Sequence, residues 1–365
     1  MSDPGASGPR VVAIGAAAHI FGSHMRGLAA VDARVVGVQD VDQERLRPVA
    51  ERLGCPAFAD LGALLQTEAD LAVITAPHPF HADLSIQCLR AGLDVLVEKP
   101  IAVEVAEADR MVEAADQLGR TLAVCFQHRL RPEVQAARRL VQEGAVGEVQ
   151  RVDLLATWPR RAGYFTSAPW RGSWRGEGGG VLINQGQHDL DVLCYVAGQP
   201  NRIVSWQRTQ LHAIETEDTV SAMVEWPSGA VGFIHISTAE SDEEQRLELT
   251  GTGGRLRLTK GRLELIRNDV DVRDYAVSPG NPYEAPPTLD PEIVTGEEVS
   301  HPAIYRDLVA ARTAGREPVA PGHSALLTLE LTNALTYSAR TGQEVRLPLD
   351  RAAYGKLLRS LRGEV

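Results

Sequence analysis

Lysine is almost missing from this chain. Of its 37 basic residues, only Lys99, Lys260 and Lys356 are lysines. Cysteine is also sparse: Cys55, Cys88, Cys125 and Cys194 lie far apart and form no Cys-x-x-Cys pair. That argues against a disulfide framework and leaves no clustered cysteines for a zinc site, so the four read as reduced core thiols of a cytoplasmic protein. A zinc-dependent alcohol dehydrogenase is disfavoured on the same ground. No apolar run approaches the ~20 residues of a membrane span, so no membrane partner is expected. Positive charge is not in excess either. The net charge is -11, which argues against nucleic acid as a partner. Residues 1–9, rich in Gly, Pro and Ser, read as a disordered tail without the basic-then-apolar order of a signal peptide. There is no internal repeat or low-complexity tract.

What is present is ordinary for a globular protein, with 44% hydrophobic and 23% charged residues. At 365 residues, two domains are expected. One of the rare lysines ends the run Asp94-Val95-Leu96-Val97-Glu98-Lys99-Pro100. Its apolar, β-branched core fits an interior parallel strand. A charged pair at the C-terminal end of such a strand sits where open α/β sheets bind ligands. Pro100 removes a backbone donor and restrains Lys99 away from helical angles. Lysine, unlike arginine, can titrate when desolvated and so move protons. An ion pair of Glu98 with an arginine, beside a surface lysine, is the plainer alternative.

The first third alternates strands and helices. Arg10 to Gly15 is a strand that runs into the turn Gly15-Ala16-Ala17-Ala18-His19-Ile20-Phe21-Gly22, followed by a helix over 20–30. The dinucleotide fingerprint G-x-G-x-x-G has Ala17 at its second glycine and Ile20, or Gly22 after a shift, at its third. Arg34 to Gln39 is a second strand, ending at Asp40 where an acidic residue would grip a ribose diol. The other role for Asp40 is an N-cap for a helix over 41–53. Further units follow: a helix over 60–67, a strand over 71–75, a helix over 80–91, the Lys99 strand, a helix over 103–118 and a strand over 122–126. Repeated βα units of this length predict a doubly wound parallel sheet. His78 and His81 lack a carboxylate or cysteine at ligand spacing, so no metal is expected there.

In the remainder, 132–143 reads as a helix and 149–158 as a strand. The segment 159–180 carries Arg160-Arg161, Tyr164-Phe165 and Trp170-Arg171-Gly172-Ser173-Trp174-Arg175. Trp and Arg suit a polyol face through stacking and forked hydrogen bonds, or a packed lid. Val181 to Ala197 reads as one helix with Asn184, His188 and Asp191 on a shared face. A core histidine bonded to Asp191 is the structural alternative for His188. The stretch 203–265 reads as an antiparallel meander whose outer face needs a cover, so a homo-oligomer through this sheet is expected. Residues 268–300 read as a loop, and 301–314 and 324–340 as helices.

These residues resemble the Gfo/Idh/MocA family of glucose–fructose oxidoreductase and inositol dehydrogenase. The marks are the turn at Gly15, Asp40, Thr75-x-Pro77-x-x-x-His81, Glu98-Lys99-Pro100 and Phe126-Gln127-His128-Arg129. Trp170-Arg171-Gly172, Gly178-Gly179-Gly180, Asn184-x-x-x-His188-x-x-Asp191 and Tyr337 to Gly342 complete them. The resemblance implies a Rossmann domain over 10–127 and a second α/β domain over 128–365, built on a large, mostly antiparallel sheet. The helix over 324–340 would pack back on the Rossmann domain. It also implies an NAD(P)-dependent oxidoreductase acting on a cyclic polyol or sugar. Asp40 would repel a 2′-phosphate and so favour NAD over NADP. Gly15, Ala17, His19, Ile20, Asp40, Thr75, Pro77, His81, Glu98, Lys99 and His128 would line the cofactor. Lys99, with its reference pKa of about 10.4 lowered by burial, would exchange the substrate proton with His188, while Asn184 positions the oxygen. Substrate contacts would come from Lys99, His128, Tyr164, Trp170, Arg171, Asn184 and His188. Two departures stand out: Ala17 replaces the usual glycine, and Asn184 stands where inositol dehydrogenases typically carry aspartate. Asparagine orients but exchanges no proton. Two other readings are an NAD-dependent glycoside hydrolase of the same family and a non-catalytic sugar or nucleotide sensor.

Overall fold

The computed structural model describes residues 8–364. The expected tail over 1–9 lies, as far as residue 7, outside the described residues. The chain forms two compact units. The first comprises the residues up to Gln127 together with Val299–Leu329, and the second comprises His128–Glu298 and the chain from Glu330 on.

The strands of the first unit are β1 (Arg10–Ile14), β2 (Arg34–Gln39), β3 (Ala57–Phe58), β4 (Leu71–Ile74), β5 (Asp94–Val97) and β6 (Leu122–Val124). Its first helices are α1 (Phe21–Ala29), α2 (Gln43–Leu53), α3 (Leu61–Leu64), α4 (His81–Arg90) and α5 (Val105–Leu118). The strands pair in parallel in the order β3-β2-β1-β4-β5-β6. Val11, Val12, Val73, Ile74, Val95, Leu96 and Val97 are fully buried or nearly so, as apolar strands covered on both faces must be. The order reverses between β1 and β4, and the C-terminal ends of strands flanking such a switch point form a ligand crevice.

The second unit begins with α6 (Pro132–Gln142), β7 (Val149–Thr157), α7 (Ala162–Thr166) and α8 (Gln187–Ala197). The strands β8 (Arg202–Arg208), β9 (Thr219–Glu225), β10 (Val231–Ser237), β11 (Arg246–Gly251), β12 (Gly254–Thr259) and β13 (Arg262–Arg267) follow. In chain order α9 (Val272–Val277), β14 (Glu292–Thr295), α10 (His301–Ala314), α11 (Gly322–Thr341), β15 (Val345–Arg346) and α12 (Arg351–Leu361) come next, of which α10 belongs to the first unit. The sheet order is β14-β13-β12-β11-β7-β10-β9-β8-β15, antiparallel except where β10 meets β7. Burial alternates along β8 and β12, the signature of a sheet with one face packed and one exposed. The packed face of β8 is tied to α11: Ser205 Oγ donates to Leu335 O and Gln207 Nε2 to Thr336 Oγ1.

Three sequence expectations change. The second domain does not run unbroken from 128 to the end, because 299–329 belongs to the first unit. Helix α10 approaches α1 so closely that a methyl group on Gly27 would overlap the Tyr305 ring. The chain then bridges β6, where Val124 N–H donates to Ala320 O. Second, residues 268–300 are not one loop: they contain α9 and β14, which pairs with β13. Third, the helix expected over 181–197 begins only at Gln187. The Glu217 carboxylate accepts from the backbone N–H groups of Gly180 and Leu182, and Gly180 lies too close to Glu217 O for any side chain. The segment 181–186 is therefore pinned as turns, and Asn184 shares no helix face with His188. Among the described residues no helix is long and apolar enough to cross a membrane. No disulfide joins the four cysteines; Cys88 and Cys125 are buried, while Cys55 and Cys194 are only half-buried.

Candidate functional site

The turn after β1 is shaped by one glycine. Gly15 has φ +76, and a side chain there would meet the backbone of Ala76 beyond β4. Its carbonyl accepts the Thr75 hydroxyl at 2.8 Å, and its N–H donates to Gln39 O at 2.8 Å. Thr75 is buried and its hydroxyl is spent on this turn, so it shapes the loop rather than facing a cofactor through that group. Ala17 causes no strain: the sole non-glycine with positive φ among the described residues is Asp32. The Ala17 N–H donates to Asp40 Oδ2 at 2.9 Å, and Asp42 N–H donates to Oδ1 at 3.0 Å. Asp42, not Asp40, caps α2. Asp40 is thus a half-buried carboxylate fixed at the end of β2, while His19 and Ile20 are exposed at the start of α1. A backbone turn feeding a helix N-terminus, with a fixed carboxylate beside it, suits a pyrophosphate and a ribose diol.

Glu98 and Lys99 follow β5. Glu98 is 8% exposed, and its Oε2 accepts the Lys99 backbone N–H at 3.0 Å. Its Oε1 lies 2.9 Å from His24 Nε2 and 3.3 Å from His301 Nε2. Burial alone would raise its pKa. Hydrogen bonds from His24 and His301, with the nearby charges of His24 and Lys99, outweigh that and hold it well below the usual range. Glu98 is accordingly a buried anchor of the Lys99 turn, and its side-chain hydrogen-bond partners are histidines rather than the arginine considered from sequence. Lys99 is half-buried, and the Lys99–Pro100 peptide is cis. Pro77 precedes a short helix over 78–80. His81, expected to line the cofactor, is fully buried and serves as a clip. Its Nδ1 lies 2.7 Å from Pro100 O and its Nε2 2.8 Å from Ala76 O. Burial lowers its pKa.

In the second unit the Arg129 guanidinium grips Asp191 with two buried bonds of 2.9 and 2.6 Å. Asp191 is therefore a structural counter-ion, and this arginine partner sets it apart from the polar stripe read from sequence. The His128 ring stacks on His188 with centroids 4.2 Å apart, and Arg131 Nη2 donates to His128 Nε2 at 2.8 Å. Asp189, next to His188, accepts from Trp158 Nε1 at 2.8 Å, and burial pushes its carboxyl up to about 7.

A second cluster surrounds Asn184. Its amide donates to Tyr164 Oη at 2.9 Å and, very closely, to Glu177 Oε1. Both amide protons are thereby directed, so any further bond made by Asn184 side-chain atoms uses Oδ1 as acceptor. Arg171 donates to Tyr164 Oη, and its guanidinium lies over the rings of Tyr164 (4.3 Å) and Trp170 (4.5 Å). Tyr164, Trp170, Arg171 and Asn184 thus come together in one group. Sequence reasoning missed Glu177, Asp189, Arg131 and Trp158 here, and His24, Cys125, His301 and Tyr305 around Glu98. Glu177 sits inside a segment already singled out, and its acidity amid arginines was a usable signal. His24 and His301 lie too far apart in sequence to suggest a pair.

The expected site residues fall into two groups: Gly15 to Lys99 in the first unit, and His128, Tyr164, Trp170, Arg171, Asn184 and His188 in the second. Comparison with known proteins also finds two matched regions in the chain. The GFO/IDH/MocA model described as "Oxidoreductase family, NAD-binding Rossmann fold" matches residues 10–126, and that of the GFO/IDH/MocA C-terminal domain matches 134–257. D-apiose dehydrogenase of Paraburkholderia graminis is 28% identical over 89% of this chain and 86% of its own. Trans-1,2-dihydrobenzene-1,2-diol dehydrogenase of Mus musculus is 26% identical over 93% of this chain and 98% of its own. The crystal structure of the WlbA dehydrogenase from Bordetella pertussis, in complex with NADH and UDP-GlcNAcA, is 27% identical. It covers 93% of this chain and 99% of that one, with a TM-score of 0.79. Both regions match models of one family, and the chain belongs to the GFO/IDH/MocA family of NAD-binding oxidoreductases.

Proposed function

We propose that this oxidoreductase interconverts a secondary alcohol and its ketone on a cyclic polyol or sugar derivative, with NAD preferred over NADP. The observation that carries the reading is the Lys99 turn. The rare lysine stands half-buried at the C-terminal edge of a parallel sheet, its backbone held by a buried, ionised Glu98. The Gly15–Ile20 turn would hold the pyrophosphate and Asp40 the adenosine ribose, where its charge disfavours a 2′-phosphate. Bound NAD would supply hydride acceptance and return.

In the oxidation direction Lys99 Nζ takes the hydroxyl proton, and in reduction it gives the proton back. His188, steadied by the stacked His128, hydrogen-bonds the reacting oxygen and relays the proton. Asn184 orients a substrate hydroxyl through Oδ1. Tyr164, Trp170 and Arg171 offer ring faces and a guanidinium suited to a hydroxylated ring. The relatives' names, which include D-apiose and a dihydrobenzene diol, fit that substrate class. The exposed Val204, Trp206, Met223 and Val231 on β8, β9 and β10 support a homo-oligomer through this sheet face. Four thiols without disulfides fit a cytoplasmic setting.

The test is a screen of inositols, aldoses and sugar acids with NAD, followed by NADH absorbance. NADH formation with at least one cyclic polyol or sugar supports the reading. Release of an aglycone from a chromogenic glycoside without net NADH would replace it with a hydrolase.

A further inference from the structure

The first unit contains a cluster of which the proposed reaction uses only Glu98, as the anchor of the Lys99 backbone. His24 comes from the middle of α1, Glu98 from the end of β5, Cys125 from just past β6, and His301 from the first position of α10. Their exposures are 0%, 8%, 0% and 8%. One donor atom from each lies within 4.8 Å of all the others. We propose that His24, Glu98, Cys125 and His301 bind one divalent first-row transition ion of the zinc class, as a structural site in the core of the Rossmann unit.

Four arguments point this way. The donor set is two imidazoles, one carboxylate and one thiol, which suits zinc and not the all-oxygen shells of magnesium or calcium. The charges close: a thiolate and a carboxylate with two neutral imidazoles carry two negative charges, which a divalent ion neutralises in a place where uncompensated charge is costly. Donor spacing is compatible. Zinc bonds of ~2.0–2.3 Å place tetrahedral donors roughly 3.3–3.8 Å apart. The two imidazoles here lie 2.9 and 3.3 Å from Glu98 Oε1, and no pair exceeds 4.8 Å. Closing such a set moves side-chain tips by about an ångström. Finally, an outer partner is built in: Tyr305 Oη lies 2.8 Å from His24 Nδ1. Metal-bound histidines characteristically donate their other ring N–H to such a group.

The competing state is a hydrogen-bonded network without metal. There, Tyr305 Oη–H donates to His24 Nδ1, and both histidines donate from Nε2 to Glu98. Ion binding reverses the His24 tautomer: Nε2 turns its lone pair to the metal, Nδ1 carries the proton, and Tyr305 Oη becomes the acceptor. The hydroxyl serves either state; the Cys125 thiol hydrogen-bonds Glu98 in the network, and only the metal-bound state uses it as a thiolate donor. Such an ion would tie α10 to α1, β5 and β6, and would fix Glu98 and with it the backbone of Lys99. The proposal does not depend on the substrate reading above.

The experiment uses the full-length protein purified from zinc-supplemented medium. Metal per chain is measured by mass spectrometry after exhaustive buffer exchange. The chelator-stripped protein is then titrated with cobalt(II). One zinc per chain is expected, with visible ligand-field bands and a near-ultraviolet thiolate-to-cobalt band. Cys125→Ala should lose the ultraviolet band, and His301→Gln should weaken cobalt binding at least tenfold. Tyr305→Phe should keep the bands while weakening affinity roughly ten- to a hundredfold. Circular dichroism checks that each variant is folded, and the wild-type result stands without them. Substoichiometric zinc and no cobalt bands in the wild type would overturn the proposal in favour of the network. Bands that persist unchanged in both Cys125→Ala and His301→Gln would place the ion elsewhere and overturn it equally.

Discussion

The Lys99 turn of the first unit and the Asn184 cluster of the second solve the same problem differently. Around Lys99 the groups are anchored by main chain: His81 bridges two carbonyls, Thr75 binds the glycine turn, and Glu98 holds the lysine's own N–H. Around Asn184 the anchors are side chains holding one another: Arg171 between Tyr164 and Trp170, and Asn184 between Tyr164 and Glu177. The first arrangement is fixed by the ends of a parallel sheet and tolerates little change. The second sits in short loops and a one-turn helix, where exchanging a ring or a guanidinium alters what fits without unmaking the fold. In the function proposed above, the first region would carry the chemistry and the second the choice of substrate.

That contrast can be broken or sharpened by substitution. The largest effect is expected at Lys99→Met, which should lower kcat by about 10²–10⁴ while leaving the NAD dissociation constant nearly unchanged. Steady-state rates and a binding titration on one preparation check both halves. Next comes Asp191→Ala, which strands the Arg129 charge in a site where the two side chains are 3% and 0% exposed. A loss of roughly 3–5 kcal/mol in urea unfolding is expected. A loss below about 1 kcal/mol, the scale of exposed pairs, would mean the pair is not a structural support. Arg171→Ala should raise KM by roughly tenfold with kcat less affected, the mark of lost binding rather than lost chemistry. An equal fall in kcat would move Arg171 into the reacting group.

The smallest effect concerns pH. Burial lifts the Glu217 carboxyl to about 7 from an ordinary value of 4.5. Its folded pKa lies above its unfolded one, so the folded state holds the extra proton between these values. Stability from this group is therefore present below about 4.5 and lost as pH rises through about 7. Glu217→Gln, which keeps an acceptor for Gly180 and Leu182, should flatten that part of the stability profile. A slope unchanged in the variant would show that other groups, such as Asp189, set it.

The parallel sheet was readable because apolar strands and glycine-closed helices repeat at a constant spacing, and α10 appears at its expected bounds of 301–314. The positions of Asp40 and Lys99 just past the ends of β2 and β5 were readable for the same reason. The late start of α8 was not, because 181–186 has a helical apolar pattern and the Glu217 carboxylate that overrides it lies far along the chain. The placement of 299–329 depends on the Gly27–Tyr305 approach, a long-range fit that no local pattern encodes. His81 and Thr75 were assigned to the cofactor from their position at strand ends. In the fold their polar atoms are spent on backbone carbonyls that lie far off in sequence or across a turn.

The most direct test of the account is the binding of nucleotide to the Ala17 turn. Native mass spectrometry of the wild-type protein, first without additions and then with NAD or NADP, reads it in one experiment. The account predicts an NAD-bound mass that survives at concentrations where NADP does not bind, as a fixed Asp40 carboxylate beside the turn requires. Binding of neither nucleotide would contradict the oxidoreductase account, and equal binding of both would remove Asp40 as the discriminating group.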